Sequence, residues 1–198
     1  MKLNWAERWV VNNPSRVFQQ QMEIRWLQRR MPLKPDAIVL EVGCGRGAGA
    51  GLILKEFQAD AIHAMDLDFE MIKKAERYLS PHQRKRVFTY TGDLTHLPHQ
   101  NQDFDAVFGF GVLHHVPDWR QALAEIARVL KIGGTYFLEE IYPSVYQNFI
   151  TRHILLHPQE NRFFSIDLKE ALKAANLSIQ DVLECKYIGI LAVLVKTG

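Results

Sequence analysis

The chain has 198 residues and carries 24 Lys and Arg against 22 Asp and Glu, a net charge of +2; a domain of this size buries roughly 70% of its unfolded surface, enough for one sizeable core. That balance excludes the electrostatic footprint of a nucleic-acid binder, and the basic excess of Met1 to Asp36 and the cluster His82-Gln83-Arg84-Lys85-Arg86 read as solvated faces. Two cysteines, Cys44 and Cys185, exclude a disulfide framework, Glu7 and Arg8 interrupt any signal-peptide pattern, and no apolar run reaches the ~20 residues of a spanning helix, so a cytoplasmic protein is expected.

In chain order, Pro14 to Met31 has helical spacing with two apolar arcs, Val17, Ile24, Leu27 and Met31 on one and Phe18, Met22 and Trp26 on the other. One arc can face a core, which leaves the second for further packing, a pocket, a partner or a membrane surface. From Asp36 strands and helices alternate: AIVLEV, a helix after five glycines, AIHAMD, a helix over Asp68 to Leu79, then VFTYT. FDAVFGF follows, then a helix over Asp118 to Lys131 capped by Asp118 and stopped by Gly133-Gly134, then TYFLEE. Ser144 to His157 reads as a helix capped by Ser144 and ended by Pro158, and a last helix runs from Ser165 to near Asn176. Two strands, Val182 to Tyr187 and Ile190 to Lys196, stand too close for a helical crossover and must pair antiparallel. The pattern predicts an α/β fold, a parallel sheet with helices on both faces and an antiparallel C-terminal strand. One domain, 1–198, is expected, with a helical segment at 1–35 and an insertion at 141–164.

The glycines Gly43, Gly45, Gly47, Gly49 and Gly51 follow the first strand and open its helix, where bare backbone and free N–H groups receive a ligand. Gly43-x-Gly45-x-x-Ala48 fits a tolerant dinucleotide fingerprint. Glu41, two residues ahead, favours instead a ligand with ammonium and sulfonium groups, since a carboxylate repels a pyrophosphate. Gly49 and Gly51 enter a predicted helix at a cost of ~1 kcal/mol each relative to Ala, with no reason legible in the sequence.

With these residues in view, the chain resembles the class I S-adenosylmethionine-dependent methyltransferases, in register from about Asp36 to Glu140. "LEVGCGRG", "AMDLDFEMI", "GDLTHLP", "FDAVFGFGVLHHVPD" and "RVLKIGGTYFLEE" are similar to that family's ordered motifs, most of all in its ubiquinone or menaquinone and phospholipid branch. The resemblance implies a Rossmann-like three-layer sandwich with a seven-stranded sheet and S-adenosylmethionine as cofactor. It places Glu41, Gly43 and Gly45 at the methionine part, Asp66 on the ribose hydroxyls and Leu67 on the adenine. Asp93 would accept from the exocyclic amine, the Leu94 N–H would face a ring nitrogen, and Phe110 with Gly111 would border the cofactor.

Methyl transfer from a sulfonium is an in-line displacement that asks chiefly for alignment and exclusion of water. A base is needed only if the acceptor carries a proton that must leave. His115 is the first choice for it, against the reading of a hydrogen-bonded histidine that shapes its loop; His114, Tyr142, Tyr146, His153 and His157 also follow the relevant strands. No ligand set suggests a metal, and no Asp/Asn-Pro-Pro-aromatic run suggests a nucleic-acid methylase. A small, apolar, quinone- or lipid-like acceptor is expected. A catalytically silent cofactor-binding scaffold remains the alternative, and a nicotinamide enzyme would leave Glu41 and Asp93 without work.

Overall fold

The computed structural model describes residues 14–146 and 161–198. Among them the first helix, α1 (Pro14–Arg30), precedes β1 (Ile38–Val42), α2 (Ala48–Phe57), β2 (Ala61–Asp66), α3 (Phe69–Tyr78) and β3 (Val87–Thr91). Then come β4 (Phe104–Phe110), α4 (Trp119–Val129), β5 (Leu130–Ile141), α5 (Pro143–Tyr146), α6 (Ser165–Ala174), β6 (Leu177–Cys185) and β7 (Gly189–Lys196). The seven strands form one sheet in the order β3-β2-β1-β4-β5-β7-β6. Only β7 runs antiparallel, against both β5 and β6.

Period-two alternation sends neighbouring side chains to opposite faces, and each face has its own core. Leu40, Val42 and Met65 pack with Trp119, Leu123, Ile126 of α4 and Leu168, Leu172 of α6. Val39, Ile62 and Phe108 pack with Ile24, Leu27 of α1, Ile53, Phe57 of α2 and Ile72 of α3. The result is the expected three-layer sandwich.

The α1 arcs divide as their spacing allows. Ile24 and Leu27 are fully buried, whereas Phe18 and Met22 of the second arc are 67% and 54% exposed. Helix α4 carries the expected cap, Asp118 accepting from the Gln121 N–H. It ends before its predicted stop, because Leu130 adopts extended dihedrals and starts β5, so Gly133 and Gly134 lie within the strand. Gly134 is needed there, since a Cβ would stand 2.8 Å from the Lys131 carbonyl oxygen. Strand β6 begins five residues earlier than the pattern suggested, after Asn176 turns left-handed (φ 57°) to close α6. The predicted helix from Ser144 to His157 is described only through Tyr146; His153 and His157 lie outside the described residues, as do the first thirteen.

Candidate cofactor site

The carboxyl ends of β1 to β4 surround a cavity of about 360 Å³, within the range of small-molecule sites. Gly43, Asp66, Leu67, Asp93, Leu94 and His115 all line it, brought together from four separate strand ends. Gly43 adopts φ +70° and passes so close to Val112 that a Cβ would lie 2.6 Å from a valine methyl, so only glycine closes this floor.

Asp66 ends β2 and organises the loop. Its Oδ2 accepts from the Gly45 N–H (2.9 Å) and its Oδ1 from the Asp68 N–H (2.8 Å), which leaves each oxygen a further lone pair. Burial raises its carboxyl above the usual range, with those two N–H groups pulling the other way. Asp68 in turn caps α3 through the Glu70 N–H. Asp93 is exposed, and its Oδ1 accepts from both the backbone N–H and the hydroxyl of Thr95 at 2.8 Å, which holds its carboxyl below the usual range. Leu67 stands 50% exposed on the cavity rim, placed to cover a flat ring.

Glu41 does not line the cavity. Its side chain follows Val39 to the α1–α2 face, where it is buried and accepts from the Ala50 N–H. Its Oε2 has no partner among the described residues. The same contact explains Gly49: a Cβ there would collide with the Glu41 carboxylate and stand 2.8 Å from the Gln20 amide nitrogen of α1. Gly51 likewise admits Gln83, whose amide nitrogen would be 3.0 Å from a Cβ. The glycines that the sequence left unexplained thus make room for a buried carboxylate and two glutamines. Near by, Arg16 of α1 binds Glu23 (3.0 Å) and Glu139 (2.8 Å), fastening the helix to the carboxyl end of β5.

Burial pushes the Glu41 carboxyl up to about 8, against the Ala50 N–H bond that lowers it. An acid whose folded pKa is raised binds more protons folded than unfolded, so its contribution falls as pH rises from about 4.5 to 8, at most about 1.4 kcal/mol per pH unit. Burial raises Glu139 to about 7 as well, in the same direction. Melts of the unliganded chain should therefore show Glu41→Gln gaining stability on the native protein between pH 5 and pH 8. A gap independent of pH would show that Glu41 is ionised throughout.

Three further expected site residues lie elsewhere. Phe110 shares the parity of Ala106 and Phe108, so it points to the α1–α2 face and packs on Phe108 (6.0 Å between rings) rather than lining the cavity. Tyr142 is fully buried, its hydroxyl donating to Glu184 (2.6 Å), which Lys169 also holds, so it does not face the cavity as a base. Tyr146 is buried too, its ring stacked on His114 at 5.4 Å. Gly45 is half-buried with φ +52°, its N–H engaged by Asp66, and a Cβ there would meet nothing within 4 Å. Sequence reasoning missed Glu140, whose buried carboxylate holds the loop after β4; the signal was an acid ending an otherwise apolar strand. No group of three or more His, Cys, Asp or Glu side chains that could hold a metal occurs among the described residues.

Fold and cavity together define a Rossmann-like domain that receives a nucleoside-bearing cofactor at its strand ends. Residues 40–138 match the methyltransferase domain family, and the chain belongs to it. It is 39% identical over 105 residues to the demethylmenaquinone methyltransferase of Lactiplantibacillus plantarum, covering 52% of this chain and 44% of that protein. It is 31% identical over 131 residues to the sterol 24-C-methyltransferase erg6 of Schizosaccharomyces pombe, covering 65% of this chain and 34% of that one. The chain thus spans less than half the length of these relatives. Among solved structures it is similar to a SAM-dependent methyltransferase from Aquifex aeolicus, with a TM-score of 0.77 at 18% identity over 99% of this chain and all of that one, a likeness of fold.

The residues present fit S-adenosylmethionine. The glycine floor admits close approach of a ligand, Asp66 keeps lone pairs for a diol, and the cavity is lined by Asp66, Asp93 and Asp118 with no Lys or Arg among the described residues, which suits a cationic methionine end.

Proposed function

We propose that the protein transfers a methyl group from S-adenosylmethionine to a small, apolar acceptor of quinone or lipid type. The observation that carries this reading is the single cavity joining Asp66, Asp93 and the glycine floor to an apolar wall of Val112, Val116 and Pro117. When bound, S-adenosylmethionine supplies an electrophilic methyl on a sulfonium. The chain's part is to grip the diol with Asp66, pair the adenine edge with Asp93 and the Leu94 N–H, and exclude water with the valine wall. His115 lines the cavity and can take a proton from a phenolic acceptor, should it carry one. The names of the quinone and sterol relatives support the acceptor class.

The exposed Phe18 and Met22, one turn apart on α1 and followed by Arg25 and Arg29 on the same stripe, support a peripheral contact with a membrane that stores such an acceptor. No helix among the described residues is long and apolar enough to cross one. The free thiols Cys44 and Cys185 support a cytoplasmic setting.

Methyl-labelled S-adenosylmethionine, incubated with the chain and a demethylated quinone in micelles, tests the reading. Label is expected in the organic extract. Turnover confined to water-soluble acceptors would contradict it.

A further inference from the structure

Between β4 and α4 the chain makes one short 3-10 turn, Leu113–His115, and Gly111, Val112, His115 and Val116 around it wall the cavity. A turn this short cannot satisfy its own first N–H and last C=O groups. Two side chains distant in sequence do so. At the opening end, Glu140 Oε1 accepts from the Val112 N–H (2.8 Å) and the Leu113 N–H (2.6 Å), while Oε2 meets His114 Nδ1 at 2.7 Å. At the closing end, Arg162 Nη1 donates to the His114 carbonyl (2.6 Å) and Nη2 to the Val116 carbonyl (3.5 Å).

The signs are those the turn's dipole favours, an anion on the N–H end and a cation on the C=O end. Neither Glu140 nor Arg162 lines the cavity. The His114 ring between them is also packed on both sides, 4.1 Å from the His115 ring and 5.4 Å from that of Tyr146, whose hydroxyl is hydrogen-bonded with Arg162. Asn161 extends the clasp, its side chain donating to the Pro117 carbonyl (2.8 Å) and its own carbonyl accepting from Trp119 Nε1 (2.9 Å).

We propose that Glu140 and Arg162 are positioning residues of the methyl-transfer site: they clamp the turn Leu113–His115 from its two ends and so set His115 and the valine wall against the cofactor. The proposal rests on the reading that this cavity holds S-adenosylmethionine. A carboxylate can only accept, so the His114 nitrogen that faces Glu140, Nδ1, carries a proton. The amide of Glu140→Gln can still accept the two backbone N–H groups with its oxygen, but it presents an NH2 to His114 and drives that proton to Nε2. Arg162→Lys replaces a fork that serves two carbonyls with a single ammonium.

The experiment uses the full chain and S-adenosylhomocysteine as probe. In the 15N spectrum of the unliganded protein, Glu140→Gln is expected to switch the His114 tautomer. Calorimetry is expected to give about a tenfold weaker dissociation constant for Glu140→Gln and for Arg162→Ala, with Arg162→Lys between Arg162→Ala and the native chain. Melting curves on the same samples show that the variants are folded, and the two conservative variants serve if Arg162→Ala is not. An unswitched tautomer, or affinities within twofold of native in folded variants, would overturn the clamp. Failure of the native chain itself to bind the probe would instead remove the cofactor reading, and the proposal with it.

Discussion

Asp66→Ala is expected to weaken S-adenosylhomocysteine binding by about 2–4 kcal/mol, because on the proposed reading it removes a partly buried acceptor from two hydroxyls at once. The structure adds a second cause. Asp66 also binds the N–H groups of Gly45 and Asp68, so the substitution releases the glycine loop and the start of α3 together. Melts of the unliganded variant separate the causes, since the hydroxyls are absent there and only the loop's two N–H bonds are lost. Asp93→Ala should cost less, because it is exposed and stands to lose one neutral amine. Calorimetry on both variants orders them. An unchanged affinity in folded Asp66→Ala would return Asp66 to a purely structural role.

Tyr146→Ala is expected to cost about 3–5 kcal/mol of folding stability, the range for deleting a buried aromatic. Its ring is 1% exposed and lies on His114, and its hydroxyl is tied to Arg162. Tyr146→Phe should lose only the hydroxyl's share, about 1–2 kcal/mol. Denaturant melts measure both. A small loss for Tyr146→Ala with abolished turnover would put the ring on the acceptor instead of in the packing.

What the sequence could show was local. The strand, the glycine turn and the acid roughly twenty residues on are neighbours through one βαβ unit, and their spacing alone brings Asp66 to Gly45. The caps Asp68 and Asp118 are local too. Phe110 could have been read correctly, because strand alternation puts it with Phe108 and away from the cavity that Gly111 borders. Gly49 could not, since its reason is a carboxylate eight residues behind and a glutamine on another helix. Tyr142 looked available because its partner Glu184 lies 42 residues on, across the β5–β7–β6 end of the sheet. Glu140 and Arg162 escaped notice for the same reason: a turn's missing partners are supplied by tertiary contacts with no fixed spacing.

The most direct measurement is a pair of calorimetric titrations of the full chain, one with S-adenosylhomocysteine and one with NAD. Saturable binding of S-adenosylhomocysteine, far tighter than any binding of NAD, is expected, because Asp66, Asp93 and Asp118 line the cavity and no Lys or Arg does among the described residues, a lining that disfavours a pyrophosphate. NAD binding more tightly, or no binding of S-adenosylhomocysteine by a folded chain, would contradict the assignment of the cavity.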